Sequence, residues 1–496
     1  MSSTPSATAP DEGGSNRAAT LVILGASGDL TRRLLLPGIG SLLAQEPDRE
    51  VRVIGADRDE RDAGDFDAEV RAALAEGGAS AEAVERVAAA SSYLRTDATD
   101  SAALHRLLEA AAAPAPGTRA AEHDGERRVV LYFALPPAVS AKVCGALLDV
   151  DLPAELHLAM EKPFGEDEAG ARALNALVAR LVPEDQVHRV DHFLGMSTVL
   201  DIIALRFANR MFQTVWTGEH VESIEIAYDE ALALEGRAGY YDRAGALRDM
   251  IQSHLLQVMA LVTMEPPASI TDRDLRDAKA AALRATRLWG GDARTASRRA
   301  RYTAGTIATV DHAGAPGPGR DVPSYVDEDG VDPSRGTETL AQVTLEVANS
   351  RWAGVPITLR SGKALGVTQK HVVLTFADVR HLPSGLTGPD PKDRLVIGLN
   401  PDTMELRVTT NASDDPLGLA QSVMRADLRK ASLKPYGEVL GGILDGNGML
   451  TVRGDAAEEC WRICDEVLAA WAADEVPMEE YPAGSPVPEG WGAALG

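Results

Sequence analysis

Two widely separated segments carry side chains suited to acid–base chemistry on a hydroxyl group. The segment RVDHFLGMS (189–197) contains Asp191, and the predicted helix ALRDMIQSHLLQVMALVTM (246–264) contains His254 among apolar residues. A histidine with a pKa near neutrality can take the proton of a sugar hydroxyl while hydride leaves carbon, and a carboxylate can orient its ring. The spacing does not show that the two residues meet, and a histidine packed in the core is the alternative interpretation of His254.

A glycine turn near the N-terminus predicts a phosphate-binding site. The turn GASGDL follows the apolar strand TLVIL (20–24) and opens a helical segment. Small residues let the backbone approach a pyrophosphate, and a helix N-terminus supplies N–H donors and positive potential. The spacing departs from the usual dinucleotide fingerprint, since Leu30 stands where its third glycine would fall, and a plain glycine turn is the alternative. The candidate cofactor contacts are Gly25, Ala26, Ser27, Gly28, Asp29 and Leu30.

The end of the second predicted strand bears on the choice of cofactor. The strand VRVIGA (51–56) is followed directly by Asp57 and Arg58. An arginine at this place can bind a ribose 2′-phosphate, whereas a carboxylate can accept a hydrogen bond from the 2′-hydroxyl of NAD. Arg58 therefore favours NADP, and Asp57 leaves NAD open.

The order of the predicted elements indicates two architectures. Strands over 20–24, 51–56, 127–137 and 155–165 alternate with helical segments, which predicts a parallel sheet with helices on both faces. After about residue 190, runs such as TLAQVTLEVAN, HVVLTFADV and MELRVTT have a period of two, which indicates a mixed or antiparallel sheet. The stretch 311–336 is rich in Gly, Pro and Asp, and its role is left open.

The composition excludes several classes of partner. The 496 residues include 74 acidic and 49 basic side chains, a net charge of −25, which disfavours nucleic acids and anionic membranes. The apolar stretches are too short to span a membrane, and the polar N-terminus does not resemble a signal peptide. Cys460 and Cys464 share a helix face, and we interpret them as core residues of a cytoplasmic protein. An anionic substrate would need a local cluster of cations.

Eight segments, in order along the chain, identify a family. They are GASGDL (25–30), YFALPP (132–137), EKPFG (161–165), RVDHFLG (189–195), LRFANRMF (205–212), RDMIQSHLLQ (248–257), NSRWAGVPITLRSGKAL (349–365) and YPAGS (481–485). With these segments the chain resembles the glucose-6-phosphate dehydrogenase family from residue 20 almost to its end. The resemblance implies an α/β plus α+β fold, with a Rossmann-like doubly wound N-terminal sheet and a C-terminal domain built on a large, mostly antiparallel sheet.

The resemblance also implies domain boundaries and an assembly. We expect a disordered tail over 1–18, a dinucleotide-binding domain over 19–190, and a substrate-binding and oligomerisation domain over 191–496. The implied reaction is oxidation of the C1 hydroxyl of a hexose phosphate to the lactone, with hydride transfer to NADP. The implied assembly is a homodimer or homotetramer.

The resemblance assigns roles to matched residues. His254 matches the general base of the family, and Asp191 matches the carboxylate that orients it. The substrate-binding matches are Lys162, His192, Glu230, Asp249 and Lys363. Lys162 matches the lysine that bridges sugar and nicotinamide. Tyr132 and Arg58 match cofactor-contacting positions, and no metal ligand is implied.

Three positions depart from the family pattern. The stretch that usually reads DHYLGK holds the phosphate of the substrate, and here Phe193 and Met196 replace its tyrosine and lysine. Leu34 stands in the first helix where the family commonly has a further lysine. Each lost hydrogen bond to a charged group is worth about 1.5–3 kcal/mol.

These departures leave three interpretations. In the first, the substrate is still glucose 6-phosphate, and a cation such as Lys370 or Arg360 assists His192. In the second, the substrate is an unphosphorylated or otherwise modified hexose. In the third, the chain is a non-catalytic regulatory paralogue, which we disfavour because such a protein has no need to retain His254, Asp191, Lys162 and Asp249 together.

Overall fold

The computed structural model describes residues 18–114, 127–308, 317–389, 391–429 and 431–492, which form two compact units. The first unit combines the described residues up to Gly165 with Arg172–Gly195 and Ser432–Gly454. The remaining residues, Glu166–Ala171, Met196–Ala431 and Asp455–Gly496, form the second unit. The chain therefore does not divide at residue 190 alone, because a late segment returns to the first unit. The predicted tail over 1–18 lies outside the described residues, apart from Ala18.

Nineteen strands occur in the described residues. They are β1 (Ala19–Leu24), β2 (Val51–Asp57), β3 (Ser92–Arg95), β4 (Arg128–Phe133), β5 (Leu156–Met160), β6 (Val187–Val190), β7 (Val221–Asp229), β8 (Thr286–Leu288), β9 (Ser297–Thr303), β10 (Gly305–Ile307), β11 (Arg320–Val322), β12 (Leu340–Val347), β13 (Ile357–Gly362), β14 (Lys370–Phe376), β15 (Arg394–Leu399), β16 (Asp402–Asn411), β17 (Leu419–Asp427), β18 (Thr451–Val452) and β19 (Met478–Pro482).

Fourteen α-helices and two π-helical segments accompany these strands in the same described ranges. The α-helices are α1 (Leu36–Gln45), α2 (Ala63–Glu76), α3 (Ala81–Ala90), α4 (Ser101–Ala112), α5 (Pro137–Leu147), α6 (Glu168–Val178), α7 (Ser197–Phe207), α8 (Arg210–Val215), α9 (Ala238–Ala246), α10 (Leu256–Thr263), α11 (Asp272–Ala285), α12 (Ala293–Ala296), α13 (Pro435–Leu444) and α14 (Gly454–Ala472). The π-helical segments are Thr31–Leu35 and Leu247–Leu255.

The first unit is built on a seven-stranded sheet in the order β18-β6-β5-β4-β1-β2-β3. All neighbours pair in parallel except β18, which runs antiparallel to β6. Strands β1, β4 and β5 are buried along their whole length, as continuous apolar strands covered on both faces should be. The predicted Rossmann-like parallel sheet is confirmed, and the carboxyl ends of its strands share one edge.

The second unit is built on a ten-stranded sheet in the order β17-β16-β15-β14-β7-β13-β12-β9-β19, with β8 also paired to β12. The pairs β7–β13 and β9–β19 are parallel and the other pairs are antiparallel. Along β12 buried and half-buried residues alternate, which reflects the period-two pattern of the sequence. The predicted large, mostly antiparallel sheet is confirmed.

The described part of the Gly, Pro and Asp-rich stretch is tied to the second unit. Strand β11 pairs antiparallel with β10, and residues 309–316 lie outside the described residues. Tyr325 is buried, and its hydroxyl donates a 2.8 Å hydrogen bond to Asp242. The two helical cysteines, Cys460 and Cys464, are buried and form no disulfide, as predicted. Among the described helices, none has the length and apolar character needed to cross a membrane.

Candidate active site

The glycine turn of the first unit has the geometry of a phosphate-binding turn. Gly25 has φ of +84°, and a Cβ atom built there would lie 2.3 Å from the carbonyl oxygen of Ala134. Only glycine fits this close approach. Ser27 and Gly28 are exposed, and the helix begins at Asp29. The exposed backbone at a helix N-terminus therefore fits a dinucleotide pyrophosphate.

The other predicted turn residues have different surroundings. Ala26 is fully buried, and Leu30 is half-buried. Asp29 is exposed and forms ion pairs with Arg32 at 2.6 Å and Arg33 at 3.4 Å. The hydrogen bonds from Arg32 and Arg33 lower the pKa of Asp29 below its usual value. The Asp29 side chain thus contacts the arginines of the same helical segment.

The end of β2 lies against the glycine turn. Asp57 Oδ2 accepts hydrogen bonds from the Ser27 backbone nitrogen at 3.2 Å and from Ser27 Oγ at 2.6 Å. Asp57 Oδ1 accepts from the backbone nitrogen of Arg58 at 2.7 Å, and the side chain of Arg58 is exposed. Both residues that bear on cofactor choice therefore stand beside the turn.

Tyr132 has a different environment from the one expected. Its side chain is fully buried, and its hydroxyl donates a 2.5 Å hydrogen bond to Glu161 Oε1. Tyr436 donates to the same oxygen at 3.2 Å. Burial raises the pKa of Glu161. The Tyr132 hydroxyl therefore holds Glu161, the neighbour of Lys162, and the contact of Tyr132 with the cofactor stays a prediction.

Asp191 and His192 follow β6 at the carboxyl edge of the same sheet. Asp191 is buried, and its Oδ1 accepts a 3.0 Å hydrogen bond from the backbone nitrogen of Phe193. The His192 ring stacks on Tyr436, with centroids 5.4 Å apart and planes at 13°. Phe193 is only 3% exposed, so its ring belongs to the core of this region. Lys162 is half-buried after β5 at the same edge.

A cluster of charged groups in the second unit contains two of the predicted substrate residues. Strands β7 and β13 are parallel, and their last residues, Asp229 and Gly362, are paired in register. Glu230 and Lys363 follow directly, so their side chains leave the sheet together. Lys363 Nζ donates a 2.7 Å hydrogen bond to Glu230 Oε2. Lys370, at the start of β14, lies 3.9 Å from Glu230 Oε1.

The two lysines of this cluster also contact aromatic rings. Lys363 Nζ lies 5.2 Å from the Tyr241 ring centroid, and Lys370 Nζ lies 4.4 Å from that of Tyr228. Burial lowers the pKa of Lys370, and Glu230 partly opposes that effect. The cluster therefore offers two ammonium groups and a carboxylate, which can donate to and accept from sugar hydroxyls.

Arg360 is not available to assist a phosphate site. It is buried, and its guanidinium contacts Asp229 at 2.8 Å and Glu225 at 3.0 Å. A further hydrogen bond of 2.8 Å joins it to Gln369. A buried arginine paired with two carboxylates is structural, so the interpretation that Arg360 assists His192 is wrong.

His254 and Asp249 lie on a π-helical segment, although the sequence predicts one continuous helix over 246–264. The π-helical turns run over Leu247–Leu255, and such turns are frequent at functional sites. His254 is 1% exposed, and Asp249 is half-buried. Asp249 Oδ1 accepts a 3.2 Å hydrogen bond from the hydroxyl of Tyr240.

Gly245 and Glu338 explain where this segment begins. Gly245 has φ of +65°, and a Cβ atom there would lie 2.3 Å from Glu338 Oε1. The same oxygen accepts a 2.9 Å hydrogen bond from the backbone nitrogen of Leu247, at the positive end of the segment. Burial raises the pKa of Glu338. The sequence interpretation missed Glu338, which lies far along the chain in an unremarkable TETL stretch.

Fold and site together define a nicotinamide-dinucleotide oxidoreductase. The profile described as the glucose-6-phosphate dehydrogenase NAD binding domain matches residues 22–201, and that of the C-terminal domain of the same enzyme matches 203–495. The chain therefore belongs to the glucose-6-phosphate dehydrogenase family. This membership confirms the predicted NADP-linked oxidation of a hexose phosphate at C1.

Individual relatives agree with this assignment. The chain is 37% identical to the glucose-6-phosphate 1-dehydrogenase of Gluconobacter oxydans, over 94% of each chain. It is 32% identical to the Dickeya dadantii enzyme, over 95% of this chain and 94% of the other. The structure of the Mycobacterium avium enzyme is similar with a TM-score of 0.78 and 32% identity, covering 96% of each chain. A glucose-6-phosphate dehydrogenase solved with glucose 6-phosphate has a TM-score of 0.82, 26% identity and the same coverage.

Proposed function

We propose that His254 is the general base that takes the C1 hydroxyl proton of glucose 6-phosphate, and that Asp191 orients its imidazole. As the proton leaves oxygen, the C1–H bond breaks with its electron pair, and C1 becomes the carbonyl of the lactone. When bound, the cofactor would accept that hydride at its nicotinamide. Sugar plus oxidised cofactor then give lactone, reduced cofactor and one proton on the base.

The cluster around Glu230 carries the sugar-binding part of the proposal. Glu230 and Asp249 accept hydrogen bonds from sugar hydroxyls, and Lys363 donates to them. The single supporting observation is the 2.7 Å contact of Lys363 with Glu230 at the ends of adjacent parallel strands. Lys162 approaches both the sugar and the nicotinamide in this proposal.

The cofactor-binding part rests on the glycine turn. Residues 25–30 hold the pyrophosphate through backbone N–H groups, and Arg58 binds the 2′-phosphate of NADP. Gly25 and its close approach to Ala134 support this role.

The phosphate of the sugar is held by fewer donors than the family pattern provides. His192 supplies one donor, and Lys370 is the remaining candidate cation. Phe193 and Met196 favour an unphosphorylated hexose as the alternative substrate, because neither side chain can donate to a dianion.

One assay separates the proposed function from its alternative. Purified protein is mixed with NADP and either glucose 6-phosphate or glucose, and the absorbance of reduced cofactor is followed. We expect a kcat/KM for glucose 6-phosphate that exceeds that for glucose. Turnover of glucose alone would establish the alternative, and no turnover of either sugar would overturn both.

We further propose that the protein is a homodimer or homotetramer that works in the cytoplasm. Strand β17 is an edge strand of the large sheet, and Val423 and Met424 on it are 54% and 55% exposed. An exposed edge strand with apolar side chains can pair with a second copy. Sedimentation of the wild type and of Val423→Lys tests the assembly, and a monomeric wild type would contradict it.

A further inference from the structure

Segment 323–337, between β11 and β12, is anchored at two places, the first of them on β9. It belongs to the Gly, Pro and Asp-rich stretch whose role the sequence leaves open. Tyr325 of the segment is 1% exposed, and its ring meets that of Tyr302 on β9 edge-on, with centroids 5.6 Å apart and planes at 83°. Tyr302 donates a 2.8 Å hydrogen bond to Glu328 of the segment. The segment is therefore fastened to the large sheet.

The second anchor is Asp242 on α9, which is 3% exposed. Its Oδ1 accepts a 2.8 Å hydrogen bond from the Tyr325 hydroxyl, and its Oδ2 accepts one of 3.0 Å from the backbone nitrogen of Asp332. Arg335 Nε lies 3.3 Å from Oδ2, and Thr337 Oγ1 donates a 2.7 Å hydrogen bond to the carbonyl oxygen of Asp242. Four residues of the segment thus converge on Asp242, and their donors offset the cost of burying its carboxylate.

The two residues before Asp242 contact predicted sugar-binding groups. The Tyr240 hydroxyl donates a 3.2 Å hydrogen bond to Asp249 Oδ1. The Tyr241 ring is 3% exposed, and Lys363 Nζ lies 5.2 Å from its centroid. Because residues 240–242 occupy one turn of α9, a displacement of Asp242 moves both aromatic side chains. The position of α9 therefore sets where a carboxylate and an ammonium group stand for the sugar.

The chain that follows segment 323–337 fixes the far end of α9. The carbonyl oxygen of Glu338 accepts a 3.3 Å hydrogen bond from the backbone nitrogen of Ala246, the last residue of α9. The carbonyl oxygen of Thr339 accepts one of 2.9 Å from the backbone nitrogen of Lys363. One continuous stretch of chain therefore holds α9 in relation to the strand end that carries Lys363.

We propose that Asp242 is a positioning residue for sugar binding, which acts by fixing α9 to segment 323–337. Through α9 it holds two aromatic side chains against the charged groups proposed to bind sugar hydroxyls, Asp249 and Lys363. The inference rests on that proposed function of Asp249 and Lys363. It gives segment 323–337 a role in the binding of the substrate.

Two buried tyrosines provide a matched pair of variants. Tyr325→Phe removes the hydroxyl that is bonded to Asp242, and Tyr302→Phe removes a hydroxyl that is bonded to Glu328 at the same distance of 2.8 Å. Both side chains are 1% exposed, so the two losses should lower the thermal midpoint by similar amounts. The first variant breaks a contact with α9, whereas the second breaks a contact between β9 and the segment.

Calorimetric titration in the absence of cofactor gives the dissociation constant of the sugar. The probe is glucose 6-phosphate, or glucose if the wild type binds glucose more tightly. Tyr240→Phe is a third variant, which removes the donor to Asp249. Tyr240 is 49% exposed, so this substitution leaves the core intact.

The variants have different expected results. Tyr325→Phe should weaken sugar binding by about fivefold or more, whereas Tyr302→Phe should stay within about twofold of the wild type. Tyr240→Phe should weaken it by about threefold or more. In turnover, the KM of Tyr325→Phe for the sugar should rise while its kcat stays near the wild-type value, because contacts to sugar hydroxyls act in the ground state and the transition state alike.

Equal sugar dissociation constants for Tyr325→Phe and Tyr302→Phe would overturn the inference, because a general loss of stability would then explain both. If Tyr325→Phe does not fold, Tyr240→Phe decides, and wild-type sugar affinity in that variant would overturn the inference. A wild type that binds neither sugar would overturn the proposed sugar site and this inference together. A wild type that binds sugar without oxidising it contradicts the proposed base, His254, and leaves the binding test intact.

Discussion

Lys363 Nζ and Glu230 Oε2 are joined by a 2.7 Å hydrogen bond at the point where two neighbouring parallel strands end together. The pair needs no long loop to bring it together, because the register of β7 with β13 fixes both backbones. A sugar hydroxyl that binds here can accept a hydrogen bond from the Lys363 ammonium or donate one to the Glu230 carboxylate. Such charge-assisted hydrogen bonds are stronger than those between neutral groups.

Lys363→Met should lower kcat/KM for glucose 6-phosphate by about 10-fold to 100-fold, since a hydrogen bond to a charged group is worth about 1.5–3 kcal/mol. The dissociation constant of the cofactor should not change. Lys392→Met is the matched control, because Lys392 also pairs with a carboxylate, Glu222, in the same unit. Equal losses in the two variants would show that the Lys363 effect is not specific to the sugar.

Met196→Lys should lower the KM for glucose 6-phosphate by about tenfold, because an ammonium restores a charge-assisted donor to the phosphate. The KM for glucose should not fall. Met211→Lys is the control, because it adds the same charge at a different position. Met211 is 60% exposed. An unchanged KM in Met196→Lys would show that Met196 is not at the phosphate subsite.

A buried histidine pair predicts a stability that falls in mild acid. His157 Nε2 accepts from Arg128 Nε at 3.2 Å, so its Nδ1 carries the proton and donates to His188 Nε2 at 2.9 Å. Burial lowers the pKa of His157 to about 4, from a usual value of 6.5. The unfolded chain therefore binds more protons than the folded chain between pH 6.5 and about 4.

The thermal midpoint of the wild type should thus fall as the pH drops through this window. His157→Gln keeps a polar side chain that can accept from Arg128 but cannot be protonated there. The difference between its midpoints at about pH 7 and about pH 5 should be smaller than that of the wild type. If the two proteins show the same difference in thermal midpoint, His157 does not cause the loss of stability in acid. His105→Gln is the control, since His105 is 44% exposed.

The architecture could be predicted well, because buried parallel strands such as β1 and β4 are continuous apolar runs and β12 alternates. The interruption of the helix before His254 could not, because it depends on Glu338, which contacts Gly245 from about 90 residues away in sequence. The return of Ser432–Gly454 to the first unit is equally non-local. Short-range patterns carry no signal of such contacts.

Within the site, the sequence predicts which residues take part better than it predicts what those residues contact. The resemblance identifies Glu230 and Lys363, and the register of β7 with β13 explains why they meet. The resemblance matches Tyr132 to a cofactor-contacting position. The sequence does not show that this tyrosine lies in the buried strand β4 and that its hydroxyl donates to Glu161. Arg360 shows the same limit, since the sequence cannot tell a substrate-binding arginine from one neutralised by Asp229 and Glu225.

The most direct test of the account is the kcat of His254→Asn for glucose 6-phosphate with saturating NADP. General-base catalysis contributes about 100-fold to 10,000-fold, so we expect kcat to fall within that range. The dissociation constant of the cofactor, measured by titration, should stay near the wild-type value. A His254→Asn enzyme with wild-type kcat would show that this imidazole does not take the C1 hydroxyl proton.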